Sequence, residues 1–190
     1  GQRVGVEDRP EPARHHGRAR PALHGHRQQF LAPRGHENAA GQPLALDPKW
    51  KDNLAAHAWL WKDHTAVQEA EDINALGDDE SLPDYIRYVG GIYSSEWYWA
   101  KILHTIRADI DVKHAAWSWV EHCDWIPALL TGKTTPLTMY RSACAAGHKA
   151  LWHSEFGGLP AQEFLERLDP YLGEVSAHYG GPPNTADTRV

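Results

Sequence analysis

An α/β fold is predicted for most of this 190-residue chain, and three observations predict it. Two short apolar runs rich in tryptophan, "AHAWLWK" (Ala56 to Lys62) and "AAWSWVE" (Ala115 to Glu121), have the length and bulk of buried strands in a parallel sheet. Each is followed by a stretch in which apolar residues recur at helical spacing. The composition also changes abruptly near residue 38, and all nine Trp and all seven Lys lie beyond that point.

Residues 1–38 hold seven Arg but no Lys, Ile, Trp or Tyr, and show neither a helical nor a strand period. Such a segment cannot bury enough apolar surface to offset its ordering entropy, so it reads as a disordered arm. The same composition is what GC-rich coding DNA gives in the wrong reading frame, which fits it better. A nucleic-acid contact is disfavoured. Four acidic residues dilute the arm, no Trp or Tyr interleaves with its Arg, and the rest of the chain carries 12 basic against 21 acidic residues.

The folded part is read from residue 39 onward. After the first strand and Asp63, "HTAVQEAEDINAL" puts Val67, Ala70, Ile73 and Leu76 on one helical face, with Thr65 to cap it and Gly77 to stop it. "SSEWYWAKILHTIRAD" predicts a second helix with Trp99, Ile102, Leu103 and Ile106 inward, and Glu96 in its first turn complementing the dipole. Trp97 and Trp99 are two apart on that helix, so one of them lies squarely in the core. The second strand leads into "HCDWIPALLTG", a helix from about Asp124 to Gly132 with Pro127 tolerated in its first turn. A loop through "KTTPLT" precedes the small-residue stretch "SACAAGHKALWH". "GGLPAQEFLERLDP" then predicts a helix with Phe164, Leu165 and Leu168 inward and Pro170 beyond its end. The tail from His178 has turn chemistry and reads as cut within a domain.

Four long words in fixed order carry a resemblance: "LWKDHTAVQEAEDI", "YVGGIYSSEWYWAKILH", "CDWIPALLTG" and "CAAGHKALWH". Together they resemble the ribulokinase branch of the FGGY carbohydrate kinases, from about Gly41 to Asp187. The resemblance implies a ribonuclease H-like (actin-like ATPase) fold, with this chain as the partial first domain of a two-domain sugar kinase. It implies transfer of the γ-phosphate of ATP, with Mg²⁺, to the 5-hydroxyl of L-ribulose in arabinose catabolism. The family's glycine-rich phosphate loop and its sugar-touching "D-T/F-T" word belong before this region. Its catalytic aspartate and nucleotide domain belong after it. No catalytic, cofactor-binding or metal-ligating residue is therefore assigned, and this chain alone is expected to be inactive and to bind no ATP.

Three residues are candidates for contact with the sugar. Lys149 lies in the "AGHKALWH" word, where the resemblance implies a lysine that reaches the bound ketose; an ammonium offers three donors to adjacent hydroxyls. The duller reading is a surface lysine. Asp63 stands at a strand end beside a helix start, where it contacts the sugar or caps the helix. Trp61 walls the sugar's carbon face or, as is commoner for a strand tryptophan, packs in the core. Among the 13 histidines no HExxH or CxxC spacing points to a metal. Cys123 and Cys144 read as free thiols, the chain has no membrane-length apolar run, and a cytoplasmic address follows. A homodimer is a candidate assembly. The alternative function is a non-catalytic sugar-binding or interaction module.

Overall fold

From Tyr98 to Ile106 every residue of the helix Tyr98–Ala108 except His104 is buried, with Trp99, Ala100, Ile102 and Leu103 each at 0% exposure. The computed structural model describes residues 41–181 and Pro183. Seven α-helices follow one another through this region: α1 (Val67–Gly77), α2 (Tyr98–Ala108), α3 (Ile110–Ala115), α4 (His122–Thr131), α5 (Ala143–Lys149), α6 (Gln162–Leu168) and α7 (Pro170–Ala177). Short 3₁₀ turns connect them, at Leu44–Leu46, Pro48–Trp50, Leu54–Ala56, Arg87–Val89 and Ser154–Phe156. α1, α3 and α7 pack on α2, α6 pairs with α7 and touches α1, and α5 rests on the Arg87–Val89 turn. One large core joins these helices, and a small one of Val120, Trp125, Ala128 and Met139 lies beneath α4.

Several elements match the pattern. Trp99, Ile102, Leu103 and Ile106 are all buried on α2, while Trp97 is only half-buried at its N-cap. Phe164 and Leu165 are inward on α6, and Pro170 lies past its end. Gly132 ends α4 with φ 70°, in the left-handed region where a side chain costs most. On α1, Ala70 and Ile73 are buried as expected, but Val67 is exposed because the helix only begins there.

Neither predicted strand is present, and among the described residues there is no β-strand, although isolated bridges occur, such as the antiparallel one between His153 and Gly158. The segment 56–62 spends its backbone groups on tight turns: His57 N donates to Leu54 O at 3.2 Å and Asp63 N to Leu60 O at 3.0 Å. That bend breaks the two-residue alternation. Trp59 turns inward and donates from Nε1 to Thr105 Oγ1 at 2.9 Å, whereas Trp61 is 59% exposed, so the core-packing reading of Trp61 is wrong.

The segment 115–121 begins as the end of α3 and then runs extended without a ladder. Its carbonyls are satisfied by side chains instead. Tyr171 Oη donates to Ala116 O, and His178 Nδ1 meets Trp117 O at 2.8 Å. Tyr98 Oη and Arg141 Nη1 donate to Trp119 O at 2.9 and 3.2 Å. A run with these partners reads like a strand in sequence because it is equally buried.

Other details differ for local reasons. Thr65 does not cap α1; its hydroxyl donates to Asp63 Oδ1. Gly77 is the last residue of α1 rather than a left-handed stop. A Cβ there would lie 2.2 Å from Ile86 Cδ1, so the glycine serves close packing. Glu96 precedes the N-cap of α2, and its carboxylate faces His64 Nδ1 at 3.2 Å instead of the helix dipole. Pro127 sits in the second turn of α4, since the helix starts at His122. α3 and α7 are helices the periodicity does not reveal. Both are short, and both start at an aspartate cap: Asp109 accepts from Asp111 N and Val112 N, and Asp169 accepts from Tyr171 N ahead of Pro170. The composition reading of residues 1–38, and the tail beyond Pro183, lie outside the described residues.

Candidate functional site

The small-residue stretch forms α5, and Ser142 caps it by accepting from Ala145 N. Ala145 and Ala146 are buried, so their size serves packing. Gly147 is different, because a Cβ there would meet only Trp152 O, at an ordinary 3.5 Å. Lys149 is the last helical residue.

The chain around Lys149 is fixed. Its carbonyl accepts from the hydroxyl of Tyr93, which itself accepts from Trp99 N at 2.9 Å. The next carbonyl, Ala150 O, accepts from Trp99 Nε1 at 2.9 Å. Leu151 then takes φ 60° while only 2% exposed, and Trp152 N closes back on Ala146 O at 3.0 Å. A leucine in the left-handed region costs about 1–2 kcal/mol, which its burial and this closing bond offset.

The Lys149 ammonium donates to Glu121 Oε2 at 2.9 Å. The lysine side chain is 22% exposed and the glutamate 6%. That is the single hydrogen bond of Nζ among the described residues, and an ammonium has three donors, so two remain for a ligand. Glu121 is the N-cap of α4, and its carbonyl accepts from Asp124 N and Trp125 N, each at 3.0 Å. Beneath it lies a second charge pair that sequence reasoning missed. Asp124 and Arg141 are both fully buried, with Nη1 to Oδ2 at 3.9 Å. Asp124 Oδ1 accepts from Ser142 N at 2.7 Å, which ties the start of α4 to the cap of α5. Arg141 donates from Nε to Tyr179 O at 2.9 Å and stacks on the Tyr179 ring. Asp124 Oδ2 and Arg141 Nη2 have no hydrogen-bond partner. Burial pushes the Asp124 carboxyl up to about 6, with the Ser142 amide and Arg141 pulling against it. The "CDW" and "YRS" words give no sign of this pairing, because the two residues meet only through tertiary packing.

Asp63 belongs to a different arrangement. Its Oδ1 accepts from Lys101 Nζ at 2.6 Å, from Thr65 N at 2.9 Å and from the Thr65 hydroxyl. Lys101 also donates to Asp63 O and lies over the Trp59 ring at 5.2 Å. Desolvation opposes the charged Asp63, yet the hydrogen bonds from Lys101 and Thr65 outweigh it and hold the carboxyl below its ordinary value. Trp61 stands exposed beside Lys62, whose Nζ is 5.8 Å from the ring centroid. The structure thus gives Lys149 and Asp63 separate partners, joined by no hydrogen bond or ion pair. The histidines adjoining both residues flank one segment between them: His64 meets Glu96, and the His148 ring lies 4.5 Å from that of Trp97.

A groove of about 840 Å³ opens elsewhere, between α3 and α7, lined by Lys113, Trp117, Asp169, Tyr171 and His178 among others. Lys113 there is already engaged with both oxygens of Asp169, at 2.8 and 2.9 Å. Size alone therefore does not make it the better candidate than the Lys149 ammonium with its spare donors. Among the described residues no three His, Cys, Asp or Glu side chains converge on a possible metal position. Cys123 and Cys144 are both free and exposed. No described helix is long and apolar enough to cross a membrane.

Comparison with solved structures bears on the fold. A xylulose kinase from Bifidobacterium adolescentis superposes with a TM-score of 0.53 over 84% of this chain and 33% of its own, at 11% identity. The helical arrangement is therefore that of part of a sugar-kinase fold, although the described residues themselves form no sheet. No established family profile matches the chain. Curated sequences are more specific. The ribulokinase of Vibrio parahaemolyticus serotype O3:K6 is 51% identical over 135 residues, which is 71% of this chain and 24% of that protein. Those of Shouchella clausii and Halalkalibacterium halodurans are 38% and 39% identical over 138 residues, each 72% of this chain and 23% of the relative. Over the matched stretch the chain belongs to the FGGY carbohydrate kinases, and its relatives there are ribulokinases. It spans about a quarter of their length.

Proposed function

We propose that this chain supplies one wall of the sugar site of an ATP-dependent ribulokinase, with L-ribulose as the sugar and its 5-hydroxyl as the phosphate acceptor. The observation that carries the reading is the Lys149 ammonium, fixed by one bond to Glu121 and left with two donors, within a stretch that matches ribulokinases. Adjacent hydroxyls and a carbonyl on a ketose suit such a donor. Trp61, exposed on the segment after Ala56, offers an apolar ring to the sugar's carbon face. Asp63 is spoken for by Lys101 and Thr65; it supports the loop that carries Trp61 and retains one oxygen, Oδ2, for a hydroxyl.

The phosphoryl chemistry that ATP and Mg²⁺ supply in a kinase is assigned to no residue among those described, where no three His, Cys, Asp or Glu side chains converge. The test is a hybrid enzyme in which residues 41–181 replace the matching stretch of the Vibrio parahaemolyticus ribulokinase. Sustained phosphorylation of L-ribulose, lost on Lys149→Met through a rise in sugar KM with little change in ATP KM, is the expected result. An active hybrid whose sugar kinetics ignore Lys149→Met overturns the role of the lysine, and a folded hybrid with no L-ribulose phosphorylation overturns the reading and leaves a non-catalytic module in its place.

A further inference from the structure

We infer that Glu121 is a positioning residue for the sugar, acting by holding the Lys149 ammonium at a fixed point; the inference rests on the proposed role of Lys149. Four features converge on it. The Glu121 carboxylate is the buried member of its pair, at 6% exposure against 22% for the lysine, so the ammonium stands between a buried charge and the outside. The backbone of Glu121 is anchored at the start of α4, where its carbonyl accepts from the Asp124 and Trp125 amides. The Lys149 backbone is held from the other side by Tyr93, and the following carbonyl by Trp99. Finally, the bond to Glu121 uses one of three ammonium donors and so selects a rotamer without consuming the donors a ligand needs.

A free lysine side chain has several rotatable bonds, and freezing them on binding opposes affinity. With Glu121 present that ordering is complete before the sugar arrives, which is how preorganisation raises affinity. The carboxylate also makes its neighbourhood selective. It partly offsets the ammonium's charge, so an anionic sugar, such as an already phosphorylated one or a sugar acid, gains less there than it would from a lone lysine, while a neutral ketose still finds the two spare donors.

The inference is tested by titrating L-ribulose into the 190-residue chain and into its Glu121→Gln, Lys149→Met and doubly substituted forms. Dissociation constants are read from the NMR shifts of the Trp97 indole and His148 ring. Glutamine keeps the shape and an acceptor but removes the charge. It is expected to weaken binding roughly fivefold to tenfold, the scale of a lost charge-assisted hydrogen bond, with sugar KM rising in parallel and kcat little changed in the hybrid enzyme. The double variant should bind no more weakly than Lys149→Met alone. That coupling is the signature of action through the lysine, which a purely structural glutamate would not show. If Lys149→Met weakens binding while Glu121→Gln stays within about twofold, the positioning role is overturned and the sugar reading stands. If the two effects multiply, Glu121 acts through the fold, and the inference also fails. If Lys149→Met itself has no effect, the sugar reading falls and takes this inference with it.

Discussion

Two lysine–carboxylate pairs in this molecule are built in opposite senses. In Lys101–Asp63 the ammonium is buried, 1% exposed, and the carboxylate is the outer partner at 28%. In Lys149–Glu121 the carboxylate is buried and the ammonium is outside. The number of bonds follows the same division. Lys101 gives two donors to Asp63 and lies over the face of Trp59, whereas Lys149 gives one. A buried ammonium must be satisfied from within the protein, so its partners are structural. An outer ammonium anchored by a buried acid keeps donors to spare. The direction of burial, rather than the presence of an ion pair, separates a brace from a binding group.

The largest effect expected from this contrast is on the brace. Asp63→Ala leaves the enclosed Lys101 ammonium without its counter-charge, and breaking such a pair costs ~3–5 kcal/mol. The midpoint of urea unfolding should fall accordingly. A loss under about 1 kcal/mol would break the comparison, because Lys101 would then have found water.

Next comes the binding group. Lys149→Met in the hybrid enzyme should lower kcat/KM for L-ribulose by roughly tenfold to a hundredfold or more, the ~1.5–3 kcal/mol of a hydrogen bond to a charged group. ATP KM should stay nearly constant. An equal effect on both substrates would place the lysine between them and sharpen the site.

The third prediction uses Asp124, the buried acid behind Glu121. Its folded pKa of about 6 lies above the ordinary 3.8, so the native state holds this proton more firmly than the unfolded chain does. The stability it contributes is fully present below about pH 4 and is lost as the pH rises through about 6, at up to ~1.4 kcal/mol per pH unit. Asp63 has the opposite sign: its lowered pKa contributes stability at neutral pH that disappears on acidification below the ordinary carboxylate range. Urea midpoints from pH 4.5 to 7.5 should therefore decline with pH, and Asp124→Asn should flatten that decline. An unchanged slope in the variant would assign it to another group.

The smallest effect is expected at Trp61. At 59% exposure, Trp61→Ala should change unfolding free energy by no more than ~0.5 kcal/mol. In the hybrid enzyme it should still raise sugar KM, which separates a wall of the site from a residue of the core. A large loss of stability would return Trp61 to the core.

The sequence by itself determined the helices whose apolar faces repeat over several turns. α2 and α6 were legible because Trp99, Ile102, Leu103 and Ile106, or Phe164 and Leu165, must share one face at a 3.6-residue period. It also determined the family, because four long words in fixed order match ribulokinases. Period and bulk cannot distinguish a ladder from other conformations rich in bulky apolar residues, and so "AHAWLWK" and "AAWSWVE" read as strands. The first bends through local tight turns, whereas the carbonyls of the second are satisfied by residues far away, including Tyr98, Arg141, Tyr171 and His178. The helices α3 and α7 were not legible from apolar period, although their aspartate caps were visible. The word around Lys149 marked it as a candidate, but which ammonium is enclosed belongs to the tertiary structure. Packing places the Lys101 ammonium under Asp63 and sets that of Lys149 outside Glu121. Burial is a property of the assembled core, and it decides which charge must be satisfied within the protein and which is free to meet a ligand.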